Sequence, residues 1–331
     1  MKTQSRWVYV FSFLYPLSVV AGNTLGGHFA RSGAVVGLLI YPLLDWLLGE
    51  SESNNLEDSD PFYFDAILMT HAVLQIVCLL SLALLIQRDG WNYFAVLASI
   101  STGLNSGISS IVIAHELIHR RYAFQRVTGV FLLWTVNYMH FYFEHVRGHH
   151  KSVATVEDPA SARENENFWS FLIRTIPGQF INAFKIMSPR ANSWRLNPVL
   201  VFLVIQIVSW IVVYFLLGKF ILFAWLIQSA FAVFLLEYVN YIRHWGLQRP
   251  VGSRVQPEHS WQSNHRWSRW TLVELTRHAD HHYIASREYW KLRTYRESPN
   301  LPTGYYGCFW LVVIPPIWRK VMKKRLPKPS I

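Results

Sequence analysis

Nine histidines in four short clusters are the residues of this sequence best suited to chemistry. Residues four apart on a helix lie on one face, so we expect His115 and His119 to bind one ion together. The same spacing pairs His145 with His149, and His278 with His281 and His282. The full set is His115 and His119 in HELIH, His145, His149 and His150 in HVRGHH, His244 in NYIRHWGL, and His278, His281 and His282 in HADHH.

The number of clustered histidines favours two metal ions. Neutral imidazole is the commonest metal ligand, and polar groups at membrane depth are costly enough to indicate a function. One ion takes about four to six ligands, which is fewer than the clusters supply. The spacing does not identify the metal, because imidazole suits zinc, copper, nickel and iron alike.

A second interpretation of HELIH is the HExxH motif of zinc proteases, in which Glu116 would be the general base. That interpretation leaves the other three clusters unexplained, so a membrane zinc metalloprotease is a distant alternative. A membrane metal carrier without catalysis is another. The isolated His28, His71, His140 and His259 are expected to be ordinary hydrogen-bonded residues, and His265 an outer partner of a metal ligand.

The composition places the clusters in a membrane protein. Hydrophobic residues make up 52% of the 331 residues and charged residues 15%, whereas soluble domains carry about 25% charged residues. The net charge of +11 does not indicate nucleic acid, because the basic residues flank apolar runs, as Arg120 and Arg121 do. The two cysteines, Cys78 and Cys308, cannot hold an iron–sulfur cluster.

Six apolar segments are long enough, or nearly so, to cross a bilayer. We therefore predict an all-α, integral membrane bundle of six transmembrane helices, folded as one domain (1–331) with a cytoplasmic histidine-rich cap. Both termini face the cytoplasm, since most lysines and arginines then lie inside. The predicted spans are about 7–22, 33–49, 62–86, 91–113, 198–217 and 220–241, and the histidine-rich cytoplasmic segments are about 114–195 and 242–331.

Two further stretches, 122–140 and 305–318, are aromatic-rich or interrupted. We predict that both lie at the cytoplasmic interface and do not cross the bilayer. The first has the alternative of a short re-entrant hairpin.

Several carboxylates lie within one or two helical turns of the clustered histidines. Metal-bound histidines usually donate their other ring nitrogen to a carboxylate or carbonyl. We expect such partners among the nearby acidic residues and assign tentative catalytic roles to Glu116 and Asp280. The full set of candidates is Glu116, Glu144, Glu237, Glu274 and Asp280.

The motifs resemble those of the membrane fatty-acid desaturase and hydroxylase superfamily, and most closely the alkane 1-monooxygenases. The resemblance implies two iron ions held by the nine clustered histidines, dioxygen as co-substrate, and hydroxylation of a terminal methyl group to a primary alcohol. It also implies electrons from a rubredoxin-type donor with its NAD(P)H-dependent reductase, and a bacterial inner membrane. The matching stretches are YPLLDWLLGE, HELIHR, EHVRGHH with VATVEDPASAR, NYIRHWGL, SWQSNH, LTRHADHHYIASREYW and LPTGYYGCF, ending in PPIW.

Departures from the family pattern leave every implied metal ligand in place. They do not identify the substrate. Ile118, Val146 and Trp245 stand where glycine, asparagine and tyrosine are common, and 283–286 lacks further histidines. An aromatic-methyl hydroxylase or a fatty-acyl desaturase or hydroxylase of the same superfamily is therefore the alternative.

The sequence also predicts where two partners bind. We expect a small acidic redox protein to dock on a basic face formed by Arg120, Arg121, Arg147 and Arg243. Gly37, one turn after Gly33, either leaves room for an extended alkyl chain or lets membrane helices pack closely.

Overall fold

The fold is all-helical in the residues that a computed structural model of the chain describes, namely 4–53, 60–191 and 193–327. Extended pairing in these residues is limited to two isolated bridges, Glu50 with His265 and Gln262 with Asn300. The predicted all-α class is confirmed. In chain order the helices are α1 (Arg6–Leu25), α2 (Gly27–Leu48), α3 (Pro61–Asp89), α4 (Tyr93–Ile118), α5 (Ala123–Thr135), α6 (141–152), α7 (Phe168–Met187), α8 (Pro198–Leu217), α9 (Lys219–His244), α10 (Arg266–Thr271), α11 (His278–Tyr283), α12 (Tyr305–Val312) and α13 (Pro315–Met322).

Six of these helices, α1 to α4, α8 and α9, are long and apolar enough to cross a membrane, which confirms the predicted bundle. The surface of α8 shows why a bilayer must surround it. Phe215 and Leu216 are 77% and 76% exposed, and Ile211 is 51% exposed. A continuous apolar face of this kind is covered by lipid or by a partner in a stable protein.

Helix ends coincide with residues that the sequence marks clearly. Asn197 caps α8 by accepting a hydrogen bond from the backbone N–H of Val199, and Pro198 occupies the first helical position. Gly90 and Gly218 end α3 and α8 with φ of 73° and 88°, a conformation that glycine adopts at little cost.

Two spanning helices run further than predicted. α4 continues past residue 113 to Ile118, and α9 continues past 241 to His244. The added turns contain polar residues such as His115, Glu116 and His244, and these are buried against the rest of the bundle. His115 and His244 therefore lie on the spanning helices themselves.

The segment 122–140 enters the bundle, so its predicted position along the interface is wrong and the re-entrant alternative is confirmed. Trp225 of α9 donates a 2.6 Å hydrogen bond to the backbone carbonyl of Thr135, and Gln75 donates to the Thr135 hydroxyl at 3.1 Å. Gln75 lies 14 residues after Pro61, which is about 21 Å along α3. Asn137, with φ of 55°, turns the chain back into α6.

The stretch 305–318 also leaves the predicted interface. It divides into α12 and α13, and the indole N–H of Trp310 donates to the carbonyl of Leu38, in the middle of α2. Phe309 packs edge-on against Tyr238 of α9 at a centroid distance of 5.4 Å. α12 therefore lies against the side of the bundle.

α7 was not predicted from the sequence. Asn167 caps it through Ser170 N–H, and its buried residues recur every three or four positions. That spacing is typical of an amphipathic helix packed on a core. Its buried face consists of Phe168, Phe171, Thr175, Gln179, Ala183 and Met187.

Candidate metal centre

All nine clustered histidines converge at one end of the bundle. Eight of them form two groups of four, and within each group the ligand atoms lie within 4.8 Å of one another. His150 lies between them: its Nε2 is 3.1 Å from His145 Nε2 and 3.0 Å from His281 Nε2, and its ring is 4.4 Å from that of His282. The first group is His115, His119, His145 and His281, and the second group is His149, His244, His278 and His282.

The structure divides the sequence motifs between the two groups. His115 and His119 share a group as expected, but His145 and His149 belong to different groups, which corrects the predicted pairing. His145–His149 is a π-helical turn, so the spacing of an ordinary α-helix does not apply. His281 is separated from His282 because adjacent helical residues point in different directions.

Many of the ring nitrogens in these groups are buried without a hydrogen-bond partner among the described residues. An unsatisfied buried polar atom costs about 1–3 kcal/mol of stability. A cluster of such atoms therefore indicates that a ligand binds there. Metal ions accept the lone pairs of imidazole nitrogens, and the donor set therefore fits a metal centre. The atoms are Nδ1 and Nε2 of His115, Nε2 of His119, His149 and His244, and Nδ1 of His145, His278 and His282.

Burial also favours the protonation state that binds metal. Burial, followed by the charge of His149, lowers the pKa of His119 to about 4. Burial is likewise the main cause that lowers the pKa of His145, His150, His278, His281 and His282. These rings are therefore neutral near pH 7, with lone pairs ready for a metal ion.

Two histidines of the second group are oriented by oxygen partners. His149 Nδ1 lies 2.8 Å from a carboxylate oxygen of Asp158, and His244 Nδ1 donates to the carbonyl of His259 at 3.3 Å. Asp158 is itself held by the Ser161 hydroxyl at 2.6 Å. These bonds turn Nε2 of His149 and His244 towards the other rings of the group.

Asp158 was missed by the sequence analysis, which considered carboxylates on the same helical face as a histidine or next to one in sequence. It lies nine residues after His149, in a loop that folds back on α6. The available signal was the EDPAS stretch that follows HVRGHH.

In the described part of the chain neither Glu116 nor Asp280 makes a hydrogen bond to a histidine ring, and their catalytic roles stay a prediction. Glu116 accepts from Arg120 Nη2 at 3.0 Å and from the backbone N–H of Tyr289 at 3.1 Å. Asp280 accepts from Arg287 Nη1 at 2.6 Å and from the backbone N–H of Arg293 at 2.7 Å. These bonds hold the chain segments of the cap in place around the metal centre.

The other three predicted carboxylates also lack a hydrogen bond to a histidine ring in the described part of the chain. Glu237 accepts from Gln179 of α7 at 2.8 Å, and Glu144 has one weak contact, 3.4 Å from Asn182. Glu274 accepts from Arg269 Nε at 2.8 Å. Burial raises the pKa of Glu274, but Arg269 and Arg277 outweigh it and lower that pKa to about 2.

The isolated histidines lie outside both groups, and most have ordinary partners. His71 is held between the hydroxyls of Ser12 and Ser109, at 2.7 and 2.6 Å. His28 and His140 pack against the rings of Phe94 and Phe180, and His259 accepts from Gln256 N–H. His265 lies near Ser263 and Glu50, and within the described residues it makes no hydrogen bond to the nine rings, so its outer role stays a prediction.

The basic face predicted for docking is not formed as a whole. Arg120 is 8% exposed and paired with Glu116, and Arg243 is 2% exposed beside the histidines. Arg121 and Arg147 are exposed, as is Lys151 one turn after Arg147 on α6.

A narrow apolar cavity leads towards the centre. The inner cavity, of about 40 Å³, is shared by α2, α4, α9 and α12. Val112 lines both this cavity and a pocket of about 10 Å³ that contains His115 and His281. A larger apolar cavity of about 250 Å³ lies near the C-terminal ends of α3 and α8, away from the histidines. The inner cavity is lined by Tyr15, Gly37, Leu38, Leu104, Gly107, Ile108, Val112, Leu235, Tyr238, Val239, Leu272, Tyr305, Tyr306 and Phe309.

Comparison with known proteins agrees with this arrangement. The sequence model of the fatty acid desaturase family matches residues 89–312. Alkane 1-monooxygenase 2 of Alcanivorax borkumensis is 35% identical over 87% of this chain and 80% of its own length. Alkane 1-monooxygenase 2 of Pseudomonas aeruginosa is 34% identical over 98% and 92%. This chain belongs to the alkane 1-monooxygenase family.

Membership makes the chain an integral-membrane, non-haem di-iron type of oxidoreductase within the fatty acid desaturase family. A more distant relative of this chain is the hydroxylase component of the xylene/toluene monooxygenase of Pseudomonas putida. It is 26% identical over 66% of this chain and 61% of its own length.

Proposed function

We propose that the chain hydroxylates the terminal carbon of an alkane, or of a similar hydrocarbon, to a primary alcohol. The nine clustered histidines hold two iron ions, and dioxygen is the co-substrate. One observation carries the proposal: two groups of buried imidazoles, most with unpaired ring nitrogens, lie at the end of an apolar cavity. The names of the relatives supply the reaction class.

The chain's own residues prepare the reaction in three ways. Asp158 and the His259 carbonyl orient His149 and His244, so the second group is preorganised. The bound irons would supply the activation of dioxygen. The buried helices exclude water and would present the end of a hydrocarbon beside Val112.

Metal analysis combined with aerobic turnover tests the proposal. Purified protein should contain close to two irons per chain and convert a medium-chain alkane to the 1-alcohol, given rubredoxin and its reductase. An alkene product would indicate a desaturase, and preference for toluene or xylene an aromatic-methyl hydroxylase. Bound zinc with peptide cleavage independent of oxygen would indicate a protease, and bound metal without any turnover a carrier.

The electron donor is proposed to be a small acidic protein of the rubredoxin type, with an NAD(P)H-dependent reductase. We place its docking site at the exposed Arg121, Arg147 and Lys151. These residues lie within two positions of His119, His149 and His150 in the sequence, so a donor bound there would lie close to the metal ligands. This face would be cytoplasmic, in a bacterial inner membrane, with both termini on the same side.

We expect turnover to require the added donor and to weaken as salt rises, because about 0.15 M salt screens exposed charges beyond about 8 Å. Arg147→Gln with Lys151→Gln should raise the donor concentration needed for half-maximal rate several-fold. Arg163→Gln with Lys185→Gln removes the same charge from another part of the surface and is the control. Turnover with NADH alone, or equal effects of both pairs, would contradict the docking site.

Gly37 is expected to set the longest alkane accepted. It lines the inner cavity, and a Cβ atom at Gly37 would lie close to the Tyr15 ring. Each buried methylene contributes about 0.8 kcal/mol, so lost cavity length is felt directly in binding. Gly37→Trp should therefore abolish turnover of long alkanes and spare short ones, assayed over a series of chain lengths.

Gly33 provides the matched control one turn away. A Cβ atom there would lie 2.7 Å from Val19 Cγ2 and 2.9 Å from the Ser101 carbonyl, in a contact between helices. Gly33→Trp should therefore lower activity at every chain length. A uniform loss in Gly37→Trp as well would show that Gly37 serves only helix packing.

A further inference from the structure

Arg243 is a buried guanidinium without a carboxylate partner in the described part of the chain. It is 2% exposed, and its Nε donates to the Tyr305 hydroxyl at 3.3 Å. Nη2 is buried and has no hydrogen-bond partner. Burying an unpaired charge is far more costly than burying a paired one, so this arginine requires an explanation.

The position of Arg243 connects the metal centre with the inner cavity. Arg243 immediately precedes His244 on α9, and Tyr305, which it contacts, lines the cavity.

The charge balance of the centre points to a missing anion. The nine histidines are neutral ligands, and within the described residues Asp158 is the one carboxylate that contacts any of them. Glu116 and Asp280 are already paired with Arg120 and Arg287. Two metal cations and Arg243 would carry more positive charge than Asp158 alone can balance at the histidines, in a dry interior where charges interact strongly.

We propose that Arg243 and the two histidine groups form a binding site for a small inorganic or organic monoanion, of the size of azide or formate. The anion lies between the guanidinium and the metal ions and accepts the hydrogen bond that Nη2 lacks. This inference rests on the proposed function, because it requires metal in the histidine groups.

Azide is the probe for the test. It is titrated into the metal-loaded, ferric protein and its binding is followed by absorption spectroscopy, with metal content measured for each variant. Wild-type protein should bind azide, and Arg243→Gln should weaken the dissociation constant at least about tenfold. Arg243→Lys should recover part of the affinity. Arg147→Gln removes an equal but exposed charge beside the same histidines and should leave the affinity unchanged.

Equal azide affinity in wild type and Arg243→Gln would overturn the site, as would equal losses in Arg243→Gln and Arg147→Gln. If Arg243→Gln fails to retain metal, Tyr305→Phe takes its place. That variant removes only the hydroxyl that positions Nε and should weaken azide several-fold, and an unchanged affinity overturns the proposal. Wild-type protein that holds iron but no azide refutes this inference alone. Protein that holds no iron refutes the proposed function.

Discussion

Replacing His281 or His149 with alanine is expected to abolish alkane turnover and to lower the metal content from two ions towards one. His281 belongs to the first group and His149 to the second, so each variant removes a ligand from a different ion. Loss of an outer partner of a metal ligand typically costs about 10- to 100-fold in metal affinity or activity. Loss of a ligand itself should exceed the upper end of that range.

The measurements are iron per chain, turnover with donor and reductase, and the amount of protein in the membrane fraction. His28→Ala is the control, since His28 is exposed and packs against Phe94 far from both groups. It should retain two irons and full activity. Near wild-type turnover in either test variant would remove that histidine from the ligand set.

Asp158→Ala should weaken binding of one of the two ions about 10- to 100-fold and lower turnover to a similar extent. Asp158 is fully buried and accepts from His149 Nδ1, which fixes the orientation of that ring. Without the carboxylate the imidazole is free to rotate, and its Nε2 is no longer held towards His244 and His282. Competition with a chelator measures the affinity of each ion separately.

Asp158→Asn tests whether orientation or charge is the cause. The amide oxygen still accepts a hydrogen bond from His149, so we expect metal affinity between that of wild type and Asp158→Ala. Thermal unfolding of the metal-free proteins detects a merely structural effect. Equal weakening of both ions, or a loss of stability without a change in metal affinity, would contradict a role through His149.

The fold and the nine histidines could be predicted because each leaves a strong local pattern. Runs of about 20 apolar residues identify spanning helices, and capping residues such as Asn197 and Pro198 set their ends. The clusters were recognised because four histidine motifs recur at the ends of such runs. Both signals depend on residues close together in sequence.

The remaining features depend on contacts between distant residues. The pairing of His145 with His281 and of His149 with His244 follows from how α6, α9 and α11 meet, which no spacing reveals. Glu116 has the spacing of a histidine partner, but it accepts from the backbone N–H of Tyr289, which comes from another part of the chain. Asp158 reaches His149 only through a loop that returns to α6.

The hairpin of α5 and α6 has a consequence for biosynthesis. Its polar turn is satisfied by later parts of the chain: Asn137 bonds to Trp210 and Ser229, and the Thr135 carbonyl to Trp225. In a bilayer these groups find no water, so the hairpin cannot insert stably until α8 and α9 have left the ribosome. Histidines 145, 149 and 150 therefore remain outside the bundle until α8 and α9 have been synthesised. We therefore expect metal ions to bind only after synthesis, once both histidine groups are complete.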